Sequence, residues 1–379
     1  MLTATSHGLL RGKASGQGQQ LIFARQNLHQ EDVFISGTQV YYPRHAPPVL
    51  FDYPNRDIWS VRTDGTGDHA VLNTGSDEFV RDANGSIAVY EQNTYGLPDG
   101  TNPTSFWSLR DGASHTLLPT ERFTQYRFLA GDRAMFNTEH RLFSVNLNGT
   151  DARTHATVIE PLTLQAAAAV ESTVVFREYN SGRGSATLKA VPVSGGNIVS
   201  LDDGQSYVAY AGHVGARVVS QRCVIDSSEL PPRAGPCDVV SVNTDGSAPT
   251  VLASHSANEA VQGTVGSQVI IRRNFSGNDQ LIAVPVTGGV EQLLMTMTDN
   301  EFVQLMTDDR IIVRRPSGTW TIDLNGTLKQ IGTVNGESGF IAVGDAFCMN
   351  KNTAVWCMPL DGEGQAVKIA DTGRVLGAL

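Results

Sequence analysis

The sequence predicts an all-β protein folded as an eight-bladed β-propeller of four-stranded antiparallel blades. A short apolar strand that runs into an Asp-Gly or Asn-Gly type of turn recurs eight times. From Gly65 to Gly362 the copies recur about every 42 residues, a period typical of a propeller blade. Four short strands fit into each interval, and no long stretch has helical periodicity. Seven blades is the alternative count.

The recurring strand is clearest from Asp57 to Gly65. Asp-Gly and Asn-Gly supply the positive φ of a two-residue hairpin turn, so each copy is expected to be one strand turning into the next. All four tryptophans occupy the same position of the repeat, which favours a shared packing slot between blades over an exposed platform. They are Trp59, Trp107, Trp320 and Trp356.

The repeat runs from about residue 31 to 375 without an internal linker, so residues 21–379 are predicted to form one propeller domain. The run Leu21 to Ala24 precedes the first blade and is expected to help close the ring. Residues 1–20 are polar and rich in Gly, Ser and Gln, and a flexible N-terminal tail is expected there.

The apolar strand, the Asp/Asn-Gly-Thr turn and the polar outer strand together resemble the TolB-like, WD40-like propeller repeat. The resemblance extends over nearly the whole chain. It implies the fold more than the function, because such propellers serve as scaffolds, binding domains and accessories of enzymes. Eight units depart from the six blades typical of the family's namesake.

Charge and hydropathy exclude several classes of partner. The net charge is -10, whereas nucleic-acid phosphates require a basic face. An anionic membrane surface is disfavoured for the same reason. No apolar run approaches the roughly 20 residues of a membrane-spanning helix.

The four cysteines fall in two pairs, Cys223 with Cys237 and Cys348 with Cys357. Each pair flanks the same kind of hairpin, where opposed residues are close enough for a disulfide. Buried free thiols are the alternative. Disulfides indicate an oxidising compartment, so a periplasmic or secreted protein is predicted, its signal sequence absent from this chain. The polar N-terminal segment would suit a lipid tether.

Long loops between the third and the recurring strand of a blade should gather on one face, called the top. Long loops on a rigid β scaffold are where function concentrates. Aromatic and arginine residues in and beside these loops are the candidate binding contacts, with packing of the loops as the alternative. They are Tyr53, Arg56, Tyr95, Arg177, Tyr179 and Arg183.

An acidic residue precedes nearly every innermost strand, and these residues are expected to ring the top mouth of the central channel. They include Glu78, Glu121, Glu160, Asp203, Glu259, Glu301 and Glu337. The favoured interpretation is pairing with arginines at the ends of the neighbouring strands. The alternatives are a basic peptide or a structural cation held at the mouth.

Motifs for catalysis are missing from the sequence, which contains no Gly-x-Ser-x-Gly, no His-Glu-x-x-His and no P-loop. No catalytic residue, metal site or cofactor is predicted. The leading hypothesis is an extracytoplasmic, non-catalytic scaffold that binds a protein or peptide through the top loops. A carbohydrate-binding or polysaccharide-lyase-type propeller, with its site at the channel mouth, is the alternative, and a passive spacer is a third.

Overall fold

The structure is a computed structural model that describes residues 1–5, 8–15, 17, 19–24, 33–45, 55–84, 87–94, 104–110, 113–118, 124–202, 207–226, 233–256, 259–275 and 278–377. Regular secondary structure in these residues is entirely β, with strands β1 to β36 and no helix. The predicted all-β class is confirmed.

Strands β4 to β35 form eight successive groups of four, one for each predicted repeat. The first three strands of the chain are β1 (Leu2–Thr5), β2 (Gly8–Arg11) and β3 (Gln20–Ala24). The first four groups are β4 (Phe34–Ser36), β5 (Gln39–His45), β6 (Arg56–Arg62) and β7 (His69–Leu72); β8 (Asp77–Asn84), β9 (Ile87–Asn93), β10 (Thr104–Arg110) and β11 (Ala113–Leu118); β12 (Gln125–Ala130), β13 (Arg133–Asn137), β14 (Arg141–Asn146) and β15 (Arg153–Thr157); and β16 (Leu162–Val170), β17 (Thr173–Asn180), β18 (Ser185–Pro192) and β19 (Val199–Ser200).

The remaining groups follow the same order. They are β20 (Tyr207–Val214), β21 (Arg217–Asp226), β22 (Arg233–Asn243) and β23 (Thr250–Ser256); β24 (Glu259–Val265), β25 (Gln268–Phe275), β26 (Asn278–Pro285) and β27 (Gln292–Met297); β28 (Phe302–Met306), β29 (Arg310–Arg315), β30 (Gly318–Asp323) and β31 (Leu328–Gly332); β32 (Ser338–Val343), β33 (Ala346–Lys351), β34 (Ala354–Pro359) and β35 (Val367–Ala370), after which β36 (Arg374–Gly377) ends the series. Each group is a four-stranded antiparallel sheet, and a parallel pairing of Ala186 with Tyr207 joins the fourth group to the fifth.

A further four-stranded sheet, in the order β3-β2-β1-β36, combines strands from both ends of the numbering. Leu2 and Leu9, on β1 and β2, are buried in a cluster with Val40 and Val61 of the first repeat sheet. This differs from the flexible tail expected for residues 1–20. The short apolar runs there form strands, and β1 pairs with β36, which lies more than 350 residues away in the sequence.

The chain divides into two compact units. Unit one comprises residues 1–122, 145–151 and 330–379, and unit two comprises residues 123–144 and 152–329. In unit one, Tyr41 and Ile58 of the first repeat sheet pack against Tyr90 and Leu109 of the second. Apolar side chains thus fill the space between neighbouring sheets. The single domain predicted over residues 21–379 stays a prediction.

The recurring turns explain the Asp/Asn-Gly signature. In the first repeat the amide of Gly65 donates to the carbonyl of Arg62 at 2.8 Å, and the amide of Arg62 donates to the carbonyl of Thr66 at 2.9 Å. The loop therefore has three residues, 63–65, rather than the two expected, with the positive φ of 86° at the glycine. Asp64 Oδ1 accepts hydrogen bonds from the amide and the hydroxyl of Thr66, at 2.9 and 2.6 Å.

The turn glycine is also required by packing between sheets. At Gly149, where φ is 78°, a Cβ atom would lie 2.6 Å from the carbonyl oxygen of Thr116 on β11. At Gly326 a Cβ would lie 3.1 Å from the carbonyl oxygen of Leu294 on β27. The turn of one sheet therefore rests against the outer strand of the sheet before it, and only glycine fits there.

The four tryptophans are half-buried. Trp59, Trp107 and Trp320 each pack on the border of a hydrophobic cluster. The Trp107 ring stacks on Tyr90 with centroids 6.3 Å apart. The guanidinium of Arg44 lies 4.2 Å above Trp59, and that of Arg315 lies 5.2 Å from Trp320. The tryptophan rings at positions 59, 107 and 320 therefore lie at the edges of the hydrophobic clusters and extend them.

Candidate functional site

Two of the acidic residues that precede innermost strands form ion pairs in unit two. Glu301 Oε1 accepts from Arg315 Nε at 2.6 Å, and its Oε2 accepts from the amide of Thr298 at 2.8 Å. Glu259 pairs with Arg273, which stands directly opposite it across β24 and β25. Both carboxylates are almost completely buried. At these two glutamates the arginines balance the buried negative charge, as predicted from the sequence.

Glu78, at the start of β8, has a different environment in unit one. Its partner across β8 and β9 is Gln92, which is neutral. Glu78 Oε1 accepts hydrogen bonds from the Thr74 hydroxyl and, at 3.3 Å, from Gln92 Nε2. Its Oε2 atom is buried and has no hydrogen-bond partner. The residue is 0 % exposed, so an ionised Glu78 would be a buried charge with no cation paired to it among the described residues.

Two more buried carboxylates lie beside Glu78, and the three together are named the carboxylate cluster: Asp57, Asp77 and Glu78. Asp77 is held by Arg56, whose Nε and Nη2 atoms donate to its two oxygens at 2.8 and 2.9 Å. Asp57 stands opposite Arg44 across β5 and β6. Its Oδ1 atom is buried and has no hydrogen-bond partner.

Burial dominates the electrostatics of the cluster. Desolvation raises the pKa of Glu78 to about 7, with smaller contributions from the negative charges of Asp57 and Asp77. The hydrogen bonds from Thr74 and Gln92 oppose this rise in the pKa. Burial also raises the pKa of Asp57, and the charge of Arg44 opposes it. Glu78 is therefore poised to take up or release a proton near neutral pH.

The other predicted ring residues differ from these. Glu160 and Glu337 are exposed. Glu160 precedes Pro161 through a cis peptide bond, and Glu337 Oε2 accepts from the amide of Asn352 at 3.3 Å. Glu121 and Asp203 lie outside the described residues. The arrangement of all seven around one channel stays a prediction.

Among the predicted loop contacts, Arg56 is committed to Asp77, and its guanidinium also covers the Phe79 ring at 3.8 Å. Arg183 is exposed, in the turn that follows β17, where its amide donates to Asn180. Tyr53 and Tyr95 lie outside the described residues. Arg56 thus takes part in an ion pair and a ring contact, and the binding role predicted for all of these residues remains a prediction.

Arg177 and Tyr179 come together with two residues that are not among the predicted contacts, Tyr207 and Gln165. We name these four residues the tyrosine–arginine patch. Arg177 donates to the Tyr207 hydroxyl at 3.0 Å and to Gln165 Oε1 at 2.6 Å. Its guanidinium lies 6.0 Å from the Tyr179 ring and 5.7 Å from the Tyr207 ring.

Strand pairing explains how the patch forms. Ala186 of β18 pairs with Tyr179 on one side and with Tyr207 of the next sheet on the other. The two rings therefore lie on either side of a small residue, and the arginine reaches both. The only signal for Tyr207 in the sequence is its place at the start of an innermost strand.

A buried serine–histidine contact in unit two resembles part of a catalytic triad. Ser144 Oγ lies 2.8 Å from His155 Nε2, and Arg133 Nε donates to the same Oγ at 2.7 Å. His155 Nδ1 has no hydrogen-bond partner, so no carboxylate orients the ring as a triad requires. Ser144 is 0 % exposed, and the contact is therefore structural.

The predicted disulfides are present, between Cys223 and Cys237 and between Cys348 and Cys357. Each joins directly opposed residues of a hairpin, β21 with β22 and β33 with β34. Across the residues that the structure covers, no three His, Cys, Asp or Glu side chains group as metal ligands would. Likewise, no helix in that part of the chain has the length and apolarity needed to cross a bilayer.

Comparison with solved structures places the chain among β-propellers. Dipeptidyl peptidase 4 of Porphyromonas gingivalis matches with a TM-score of 0.57 at 9 % identity, over 87 % of this chain and 57 % of that one. An oligogalacturonate lyase in complex with manganese matches with a TM-score of 0.42 at 10 % identity, over 88 % and 97 %. TolB from Acinetobacter baumannii matches with a TM-score of 0.30 at 13 % identity, over 66 % and 62 %.

No protein-family model matches the chain, and no curated protein does so. The chain spans a little over half the length of the peptidase. At these identities the likeness concerns the fold alone, and with the repeated four-stranded sheets it defines the class as β-propeller. A specific place in the TolB-like family stays a hypothesis.

Proposed function

We propose that the protein is an extracytoplasmic binding scaffold that takes a protein or peptide partner on the tyrosine–arginine patch. The observation that carries this proposal is the environment of Arg177. Within the described residues it forms no ion pair, and its contacts are the hydroxyl of Tyr207, the amide of Gln165 and two aromatic rings.

Such a combination suits recognition of another protein. Tyrosine and arginine dominate the energetically important contacts of protein interfaces, because they offer large apolar area together with directed hydrogen bonds. The rings of Tyr179 and Tyr207 hold the guanidinium in place, so little entropy is lost when it binds. A carboxylate of the partner would find an arginine that no acid of the described residues already occupies.

The two disulfides support the extracytoplasmic part of the proposal, because such bonds persist in oxidising compartments. One of them, Cys223–Cys237, lies on β21 and β22, in the sheet that Tyr207 begins. It fixes the hairpin next to the strand that supplies one side of the patch.

The test places a photoreactive amino acid at position 179 of the full chain, in cells that make the protein. Crosslinking to a defined partner, followed by its purification, allows the affinity to be measured. Arg177→Ala and Tyr207→Ala are expected to weaken binding at least tenfold, the effect of losing about 1.4 kcal/mol.

Arg222→Ala is the matched control, because this arginine of the neighbouring sheet is ion-paired with Asp238 at 3.4 Å. It should bind the partner like the unmodified protein. Binding that survives both patch substitutions would contradict the proposal. If the patch substitutions abolished oligosaccharide binding on a glycan array and left binding of a protein partner unchanged, the carbohydrate alternative would be favoured.

A further inference from the structure

The repeat provides an internal comparison for Glu78. Three buried glutamates occupy the start of an innermost strand, and the residue opposite each one differs. Glu259 stands opposite Arg273. In the pairing of β28 with β29, Arg314 stands opposite Phe302. The next residue, Arg315, therefore lies opposite Glu301 and forms an ion pair with it. Glu78 stands opposite Gln92. The sheet of unit one thus keeps the buried acid and lacks the guanidinium.

No other cation of the described residues replaces it. Arg56 gives both of its carboxylate-facing nitrogens to Asp77. Arg44 lies over the Trp59 ring, and its positive charge opposes the rise in the pKa of Asp57. The charged neighbours that act on the pKa of Glu78 are Asp57 and Asp77, and both are negative.

Two oxygen atoms of the carboxylate cluster also lack hydrogen-bond donors. Glu78 Oε2 and Asp57 Oδ1 are both buried and unpartnered, and a buried acceptor left unpaired costs about 1–3 kcal/mol. Glu259 Oε2 also lacks a donor, but the Arg273 guanidinium meets the charge of that carboxylate. At Glu78, among the described residues, a cation is missing and so is a hydrogen-bond donor to Oε2.

We propose that the carboxylate of Glu78 binds an external guanidinium group, such as the side chain of an arginine in a basic peptide, with the negative charge of Asp57 adding to the attraction. A guanidinium is the group that the same position uses in the sheets of Glu259 and Glu301, where it fits the strand geometry. Its planar fork of donors suits two carboxylate oxygens. A divalent cation is less suited, since the described residues provide no group of three ligands there.

Two properties follow for the bound state. The guanidinium favours the ionised form of Glu78, so binding releases a proton and strengthens as the pH rises through about 7. Glu78 Oε2 is shielded from water, so association requires a local opening and is expected to be slower than diffusion allows. The site does not involve the tyrosine–arginine patch, and either proposal can fail without the other.

The test uses agmatine, which carries a guanidinium and no carboxylate, with the full chain at pH 8. Calorimetry should show saturable binding at one site, and Glu78→Gln should weaken it at least tenfold. Gln92→Arg supplies the guanidinium from the chain itself. It should raise the melting temperature and abolish agmatine binding.

The reciprocal variant is Arg315→Gln, which empties the position opposite Glu301. It should lower the melting temperature, and agmatine should restore part of the loss. Three results would overturn the proposal: no agmatine binding at pH 8, agmatine binding that Gln92→Arg leaves unchanged, or stabilisation by Ca²⁺ or Mn²⁺ that agmatine does not compete away.

Discussion

Arg56 and Asp77 form a two-fold hydrogen-bonded ion pair, with distances of 2.8 and 2.9 Å, between the strands β6 and β8 of neighbouring sheets. The aspartate is 0 % exposed. Arg56→Ala would leave it buried without a cation, and a loss of about 3–5 kcal/mol in the free energy of unfolding is expected. Urea denaturation measures this loss.

Arg81→Ala is the control for Arg56. Arg81 pairs with Glu91 at the same distance of 2.8 Å, but its side chain is 43 % exposed. Exposed pairs contribute about 0.2–1 kcal/mol. Equal losses in the two variants would show that the buried pair has no special role between the sheets.

Glu78 is expected to make the protein less stable as the pH rises from about 4.5 to about 7. Burial raises its pKa to about 7 in the folded protein, so the folded state holds a proton that the unfolded state has already released. Stability is therefore greatest below this window and is lost through it, by roughly 2–3 kcal/mol. Glu78→Gln should remove this dependence and melt at a higher temperature than the unmodified protein at pH 8.

His155 is expected to act in the opposite direction over nearly the same window. Burial, followed by the charges of Arg133 and Arg153, lowers its pKa to about 4. Between pH 4 and 6.5 the unfolded state binds a proton that the folded state rejects, so stability falls as the pH falls, by roughly 2–3 kcal/mol. His155→Gln should flatten the acid limb of a plot of melting temperature against pH, and it should leave the limb above pH 6.5 unchanged.

Gly149→Ala is expected to destabilise the protein by about 2–4 kcal/mol, because it combines a left-handed backbone with overpacking against Thr116. Gly131→Ala separates the two causes. Its φ is 62°, but no atom lies within 4 Å of the added Cβ, so a loss of about 1 kcal/mol is expected. Thermal unfolding should rank the two variants in this order, and a larger loss at Gly131 would contradict the packing argument.

The eight repeat sheets could be predicted because each is built from contacts between strands that are close in sequence. Each local hairpin is marked in the sequence by a turn glycine, a residue that the positive φ of the turn requires. The sheet of β3-β2-β1-β36 could not be predicted. Its pairing of Leu2 with Gly377 leaves no periodic signal in either segment. In residues 1–20 the strands are short, and the many Gly and Ser residues do not favour a strand prediction.

The site was predictable in part. The position of the acids before innermost strands is visible in the sequence, as are the arginines that pair with Glu259 and Glu301. The register is not visible in the sequence, and a slip of one residue would place Glu91 or Asn93 opposite Glu78 instead of Gln92. Tyr207 and Gln165 join Arg177 through pairing between two sheets, which single-sheet patterns do not report.

The sheet of β3-β2-β1-β36 joins segments that are far apart in the numbering through the pairing of β1 with β36. A variant without Arg374–Gly377 would leave the edge of β1 without its hydrogen-bonding partner. An open strand edge can pair with any other extended chain. Such a variant is therefore expected to associate with further copies of itself, a tendency that β36 suppresses.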